Sequence, residues 1–256
     1  MTEIQKHMLK MLIALRWGVG FTGIFLPVIL AGFGYLRYQI PLAGSMSSYY
    51  HATRECSGIK AQRIANSDQV AEALPPGDPC QAIGTGPMRN WFVGNLFFIG
   101  GAMLLMRGFS IWENIALDIA GIAAPCVALF PMRWGDQIGR SPHMLFAVTF
   151  FVCIAFTCVV CSRKTLNSIP HDTPHRDKVI AFYKAWYLFF GVVMVAAPLC
   201  AHLFLSQNPH RTFFVEAAGV WAFGFYWLFK TFELKHSDVE VRALMGEIEM
   251  NPVSLF

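Results

Sequence analysis

The sequence predicts an all-α membrane protein: a six-span transmembrane helical bundle with a long extracytoplasmic loop after the first span. Three observations carry this. Six apolar runs, at residues 18–34, 91–106, 115–130, 144–161, 186–205 and 213–229, each approach the roughly 20 residues that a helix needs to cross a bilayer. Charged residues make up only 14% of the chain, against roughly 25% in a typical soluble domain. The runs do not alternate polar with apolar, so a barrel is excluded, and helices are the other way to satisfy a backbone inside lipid. Mean hydropathy, +0.46, agrees.

One membrane domain, residues 1–236, is expected, with residues 37–89 as an extracytoplasmic lid loop and residues 237–256 as a short cytoplasmic amphipathic tail. The net charge of +4 is small and spread over loops. It leaves no electrostatic footprint for nucleic acid. The first run follows Lys6, Lys10 and Arg16 and could be mistaken for a signal peptide, but no small-residue cleavage site closes it. It reads as a retained span, with Arg16 snorkelling to the interface.

Six spans put both ends on one side. That side collects Lys6, Lys10, Arg16, Arg107, Arg163, Lys164, Arg176, Lys178, Lys184, Lys230, Lys235 and Arg242. The short connections opposite hold only Arg133, Arg140 and Arg211. The long first loop is basic too, but long segments cross largely regardless of charge. Both termini are therefore expected in the cytoplasm.

Cys126, Cys153, Cys158, Cys161 and Cys200 lie in or beside spans, where a thiol behaves as a small hydrophobe. Only Cys56 and Cys80 sit in the polar loop, and a pair facing an oxidising compartment reads as a disulfide that would add about 3 kcal/mol of order. Two free thiols or half of a zinc site are the other readings.

After the lid, Arg89-Asn90-Trp91 opens the second span with a basic residue and an indole at headgroup depth. Pro125 should kink the third span, which holds Asp118 near its cytoplasmic end. Ser141 and Pro142 fit the N-cap and first position of the fourth. The polar stretch from Ser162 to Lys178 reads as a solvated connection. Gly94, Gly100, Gly101, Gly219 and Gly224 read as close helix contacts. Beyond the sixth span, Ser237-Asp238-Val239-Glu240 reads as a capping box. Val241, Leu244, Met245 and Ile248 then make one apolar face of a short helix.

Polar groups gather toward the exported side: Ser45, Ser47, Ser48, Tyr49, Tyr50 and His51 in the early loop, Asn90 and Asn95 in the second span, Asp136 and His143 near the fourth, and His202, His210 and Glu216 around the last two. Ser47, His51, Asn95 and Glu216 are the candidate ligand-binding residues. An ionisable group one turn inside a span, as Glu216 is, is costly unless paired or hydrated and therefore marks a site. A sharper reading makes His51, His143 and His202 ligands of a zinc ion, with Glu216 or Asp136 as fourth ligand or general base. No two histidines have HxxxH or HExxH spacing. The plainer reading makes these histidines hydrogen-bonding anchors.

Four blocks, Ser45-x-Ser47-x-Tyr49-Tyr50, Met88-Arg89-Asn90-Trp91-Phe92-Val93-Gly94, Ala128-Leu129-Phe130-Pro131, and Glu216 through Trp221-Ala222-Phe223-Gly224 to Trp227, resemble a group of bacterial multi-span membrane proteins of unknown function. The blocks extend over most of the membrane portion. In that group an Arg-Asp pair opens the second span, where this chain has Arg89-Asn90. A more distant similarity is to the superfamily of alkaline ceramidases and adiponectin-receptor-like proteins, seven-span zinc hydrolases with a Ser-x-x-x-His on an early span. Ser47 and His51 match that motif, while the late HxxxH of those proteins is absent.

The expectation is thus a bacterial inner-membrane protein whose extracytoplasmic polar pocket binds a lipid or small amphipathic ligand, or docks a membrane-protein partner. The alternative is a metal-dependent hydrolase acting on a lipid amide or ester.

Overall fold

In the computed structural model the described residues are 1–56, 86–132, 141–171, 173–204 and 208–247, without the side chains of 198, 199 and 201–203. Among them the apolar runs become helices. α1 (Glu3–Val28) starts at a capping box: Thr2 Oγ1 accepts the Gln5 N–H and Gln5 Oε1 accepts the Thr2 N–H. Near its end Pro27 removes a donor, and the helix widens into a π turn at Ile29–Phe33 before α2 (Gly34–Tyr38). The chain then turns back through Gln39, at φ 55°, into a cap with a short 3₁₀ turn at Ser47–Tyr50.

The remaining helices are α3 (Arg89–Leu105), α4 (Ile111–Leu129), α5 (Pro142–Phe156), α6 (Ser162–Asn167), α7 (Arg176–Phe204), α8 (Arg211–Ser237) and α9 (Val239–Leu244). A second π turn, Thr157–Cys161, joins α5 to α6. The expected N-cap of α5 is present, with Ser141 Oγ accepting the Met144 N–H and Pro142 in the first turn. The result is an all-α protein with five stretches long and apolar enough to cross a membrane: Glu3–Tyr38, Ile111–Leu129, Pro142–Asn167, Arg176–Ala197 and Arg211–Ser237. α3, with 17 residues, is shorter.

The six long helices close a ring. α1 packs on α3 and α8, α3 on α4, α4 on α5, α5 on α7, and α7 on α8. Small residues allow the tightest of these approaches. A Cβ on Gly224 would stand 2.8 Å from Gly20 O, so α8 and α1 touch backbone to backbone. Gly100 of α3 faces Gly121 O and the ring of Pro125 in the same way. Gly219 instead faces the Phe151 ring, and Gly94 and Gly101 meet nothing within 4 Å. Those two are therefore not close helix contacts here; they lie on an open face.

The ring has two polar ends. One carries the cap, the starts of α3, α5 and α8 and the end of α4. The other, the tail end, carries the start of α1, the ends of α3 and α8, and α9. No two described cysteines are paired with each other, and the expected Cys56–Cys80 bridge runs to Cys80, which lies outside the described residues. Cys56 is buried and is not among the five free thiols. The described part of the cap is held by hydrogen bonds to α8 and α4. Asp136, Ile248 and residues 57–85 also lie outside the described residues.

Candidate functional site

At the cap end, three serines tie the 3₁₀ turn together. Ser45 Oγ lies 2.6 Å from Ser48 Oγ and 3.1 Å from Ser47 Oγ, and it accepts the Ser48 N–H. α8 receives the cap along one strip. Glu216 Oε2 accepts the Met46 N–H at 2.5 Å, Gly44 O accepts the Phe213 N–H at 2.9 Å, and His210 Nδ1 donates to Ala43 O at 3.2 Å. Glu216 thus answers the burial problem that singled it out: its carboxyl oxygen accepts from a backbone donor of the cap.

His51 fastens the other side of the cap. Its Nε2 donates to Met132 O at 2.8 Å, just past the end of α4, and Ser47 Oγ lies 3.9 Å from Met132 Sδ. Burial pushes the imidazole below the usual histidine range; the Met132 carbonyl opposes this, and the Arg89 and His143 charges add to it. Tyr49, also buried, is pushed above the usual tyrosine range by desolvation, against the opposing Ala43 N–H. Gly86 admits no side chain, since a Cβ there would stand 2.8 Å from both Tyr49 O and Tyr50 O.

His143 caps the end of α4, with Nδ1 donating to Val127 O at 3.0 Å and Phe130 O at 3.1 Å. Both histidines are therefore anchors to backbone carbonyls, and the zinc reading is corrected: among the described residues no three His, Cys, Asp or Glu side chains gather to hold a metal ion. The His202 side chain lies outside the described residues. Ser47, His51 and Glu216 do meet in one structure, the cap and its fastenings. Asn95 does not join them.

Asn95 faces outward, its Nδ2 donating to Trp91 O at 2.6 Å. With Thr22, Asn90, Trp91, Gly94 and Phe98 it lines an open groove of about 480 Å³ between α1 and α3. The amides lie toward the cap end and Phe98 lies deeper, so the groove is amphipathic along its length.

The tail end holds a second polar centre that the sequence reading missed. Arg16, only 3% exposed, makes two bonds to Glu240 of α9, at 2.8 and 2.9 Å. It does not snorkel; it is covered by the tail. Lys230 Nζ pairs with Glu233 Oε2 at 2.9 Å, and the Tyr187 hydroxyl donates to the same oxygen. Glu113, in the first turn of α4, accepts the Phe109 N–H at 2.8 Å. Arg16, Glu113, Trp227 and Lys230 share a cavity of about 10 Å³.

Glu233 Oε1, Tyr226 Oη and Trp227 Nε1 are buried here with no hydrogen-bond partner among the described residues. Two sequence signals could have found the centre. Lys230 and Glu233 are three apart, one helical turn, at the end of an apolar run. Ser110 and Glu113 have the spacing of a helix start, and Ser110 Oγ does accept the Glu113 N–H. Counting Lys230 as a loop charge hid the first.

Comparison with known protein families, with curated proteins and with solved structures finds no match.

Proposed function

We propose that this is a six-span protein of a bacterial inner membrane, both termini cytoplasmic, that holds a lipid or another amphipathic molecule in the groove between α1 and α3. In this reading α3 is the sixth span, since 17 residues suffice for a thin or locally adapted bilayer. The cap end faces outward, so the groove opens to the outer leaflet.

The observation that carries the reading is the groove itself. Its volume lies within the range of small-molecule sites, and its polar rim and apolar floor match a headgroup and a chain. Trp91 stands where an indole meets headgroups. Asn90 and Asn95 would touch the ligand. Ser47, His51 and Glu216 would act indirectly, by fastening the cap against the start of α3.

Gly94→Leu tests this with little risk to the fold, because nothing lies within 4 Å of the Cβ it adds. Native mass spectrometry of the protein from lipid nanodiscs should show a retained lipid, lost in Gly94→Leu at an unchanged melting temperature. The same lipid retained in equal amount by Gly94→Leu overturns the reading. A self-associated species lost instead of lipid would assign the open Gly94 and Gly101 face to a partner helix.

A further inference from the structure

The buried charges at the tail end do not balance. Arg16 is paired with Glu240, and Lys230 with Glu233. Glu113, 4% exposed, has no ion pair among the described residues, and its described partner is a neutral backbone N–H. Two cations against three carboxylates leave one negative charge. An uncompensated ion in a membrane protein's interior is costly and marks a functional position.

We propose that this centre is a proton-binding site, in which the Glu113 carboxyl holds one exchangeable proton that neutralises the cluster. A metal cation is a poor fit. The cavity walls already carry the Arg16 guanidinium and the Lys230 ammonium, and the space admits no more than one water-sized occupant. A proton needs a single oxygen.

The surroundings suit its exchange. Arg107 also lines the cavity, and its side chain is 58% exposed, so the site lies next to solvent at the tail end. The Gly108 backbone presses against the Glu113 carboxyl, where a Cβ would find no room. From α8, Glu233 Oε1 and Tyr226 Oη have no hydrogen-bond partner among the described residues. From α7, Tyr187 reaches Glu233. The turn after α5 adds the buried thiols Cys158 and Cys161, and α9 adds Glu240. The π turn that carries those thiols is a backbone form found frequently at functional sites.

Infrared difference spectroscopy of the full chain in nanodiscs, between neutral and alkaline pH, tests the assignment. The wild type should show a protonated-carboxyl band that shifts on ¹³C-glutamate labelling and disappears reversibly at high pH. Glu113→Gln should lack that band, while Glu216→Gln, at the opposite end, should keep it. Should Glu113→Gln fail to fold, Glu113→Asp should shift the band. A wild-type spectrum without any such band, or a band untouched by change at Glu113, overturns the proposal.

Discussion

Lys230 and Glu233 stand one helical turn apart, with side chains 3% and 0% exposed, so neither has water to fall back on. Removing one partner strands the other. Lys230→Met should therefore destabilise the protein by about 3–5 kcal/mol, read as a fall in melting temperature in nanodiscs. Replacing both with apolar residues should cost clearly less than Lys230→Met alone, because no buried charge is then left unpaired. Equal losses in single and double variants would show that the pair is not what the site depends on.

His51 makes a second residue-scale prediction, with its sign set by burial. Its folded-state value lies below the ordinary 6.5, so just below that pH the unfolded cap binds a proton that the docked cap refuses. Stability of the cap is then present above 6.5 and declines as pH falls through the folded value. Amide exchange at Tyr49 and Ala52, corrected for intrinsic rates, should accelerate between neutral and mildly acidic pH. His51→Gln should flatten that dependence, and an unchanged profile would assign it elsewhere.

At the scale of elements, the tail is the clearest revision. The sequence periodicity put Val241, Leu244, Met245 and Ile248 on the docking face. The helix docks instead through Val239, Glu240 and Ala243, with Met245 exposed and Ile248 outside the described residues. The reason is Arg16: a buried guanidinium dictates the rotation of α9 more strongly than a weak apolar stripe, and the Gln5 side chain adds a bond to Leu244 O. Glu240→Ala should therefore expose the segment after Ser237 to protease, Arg16→Ala should do the same, and the double change should add little. Protection retained in Glu240→Ala would return the docking role to apolar contacts.

The α1–α8 seam is equally specific. Gly224→Ala would set a methyl 2.8 Å from Gly20 O and 2.9 Å from Ile24 N, both backbone atoms that cannot step aside. The expected cost is about 1–3 kcal/mol of overpacking, visible in thermal unfolding. Gly94→Ala, on the open face, should be nearly silent.

For the whole molecule, the all-α fold and five apolar helices long enough to cross a membrane were legible because long apolar runs leave few other folds in lipid. The cap was legible as a polar cluster, and Ser47, His51 and Glu216 do converge on it. The groove was legible only through its rim, Asn90, Trp91 and Asn95, since the open face around Gly94 depends on which helices become neighbours. The tail centre was illegible for a similar reason: Arg16, Glu113, Tyr187, Lys230 and Glu240 come from five helices, and only ring closure brings them together. The metal expectation failed because backbone carbonyls at Met132, Val127 and Phe130 claim the imidazoles, a competition that side-chain spacing does not reveal.

The ring also separates its two centres, the cap with its groove at one end and the charged cluster at the other, so every functional statement depends on which end faces out. Topology reporters placed after Thr173, after Phe256 and at residue 66 decide this most directly. Cytoplasmic activity at the first two with exported behaviour at the third is the result expected for six spans with an outward cap. Reversed signals at all three would contradict the side assigned to the groove, and a changed signal at one alone would contradict the span count.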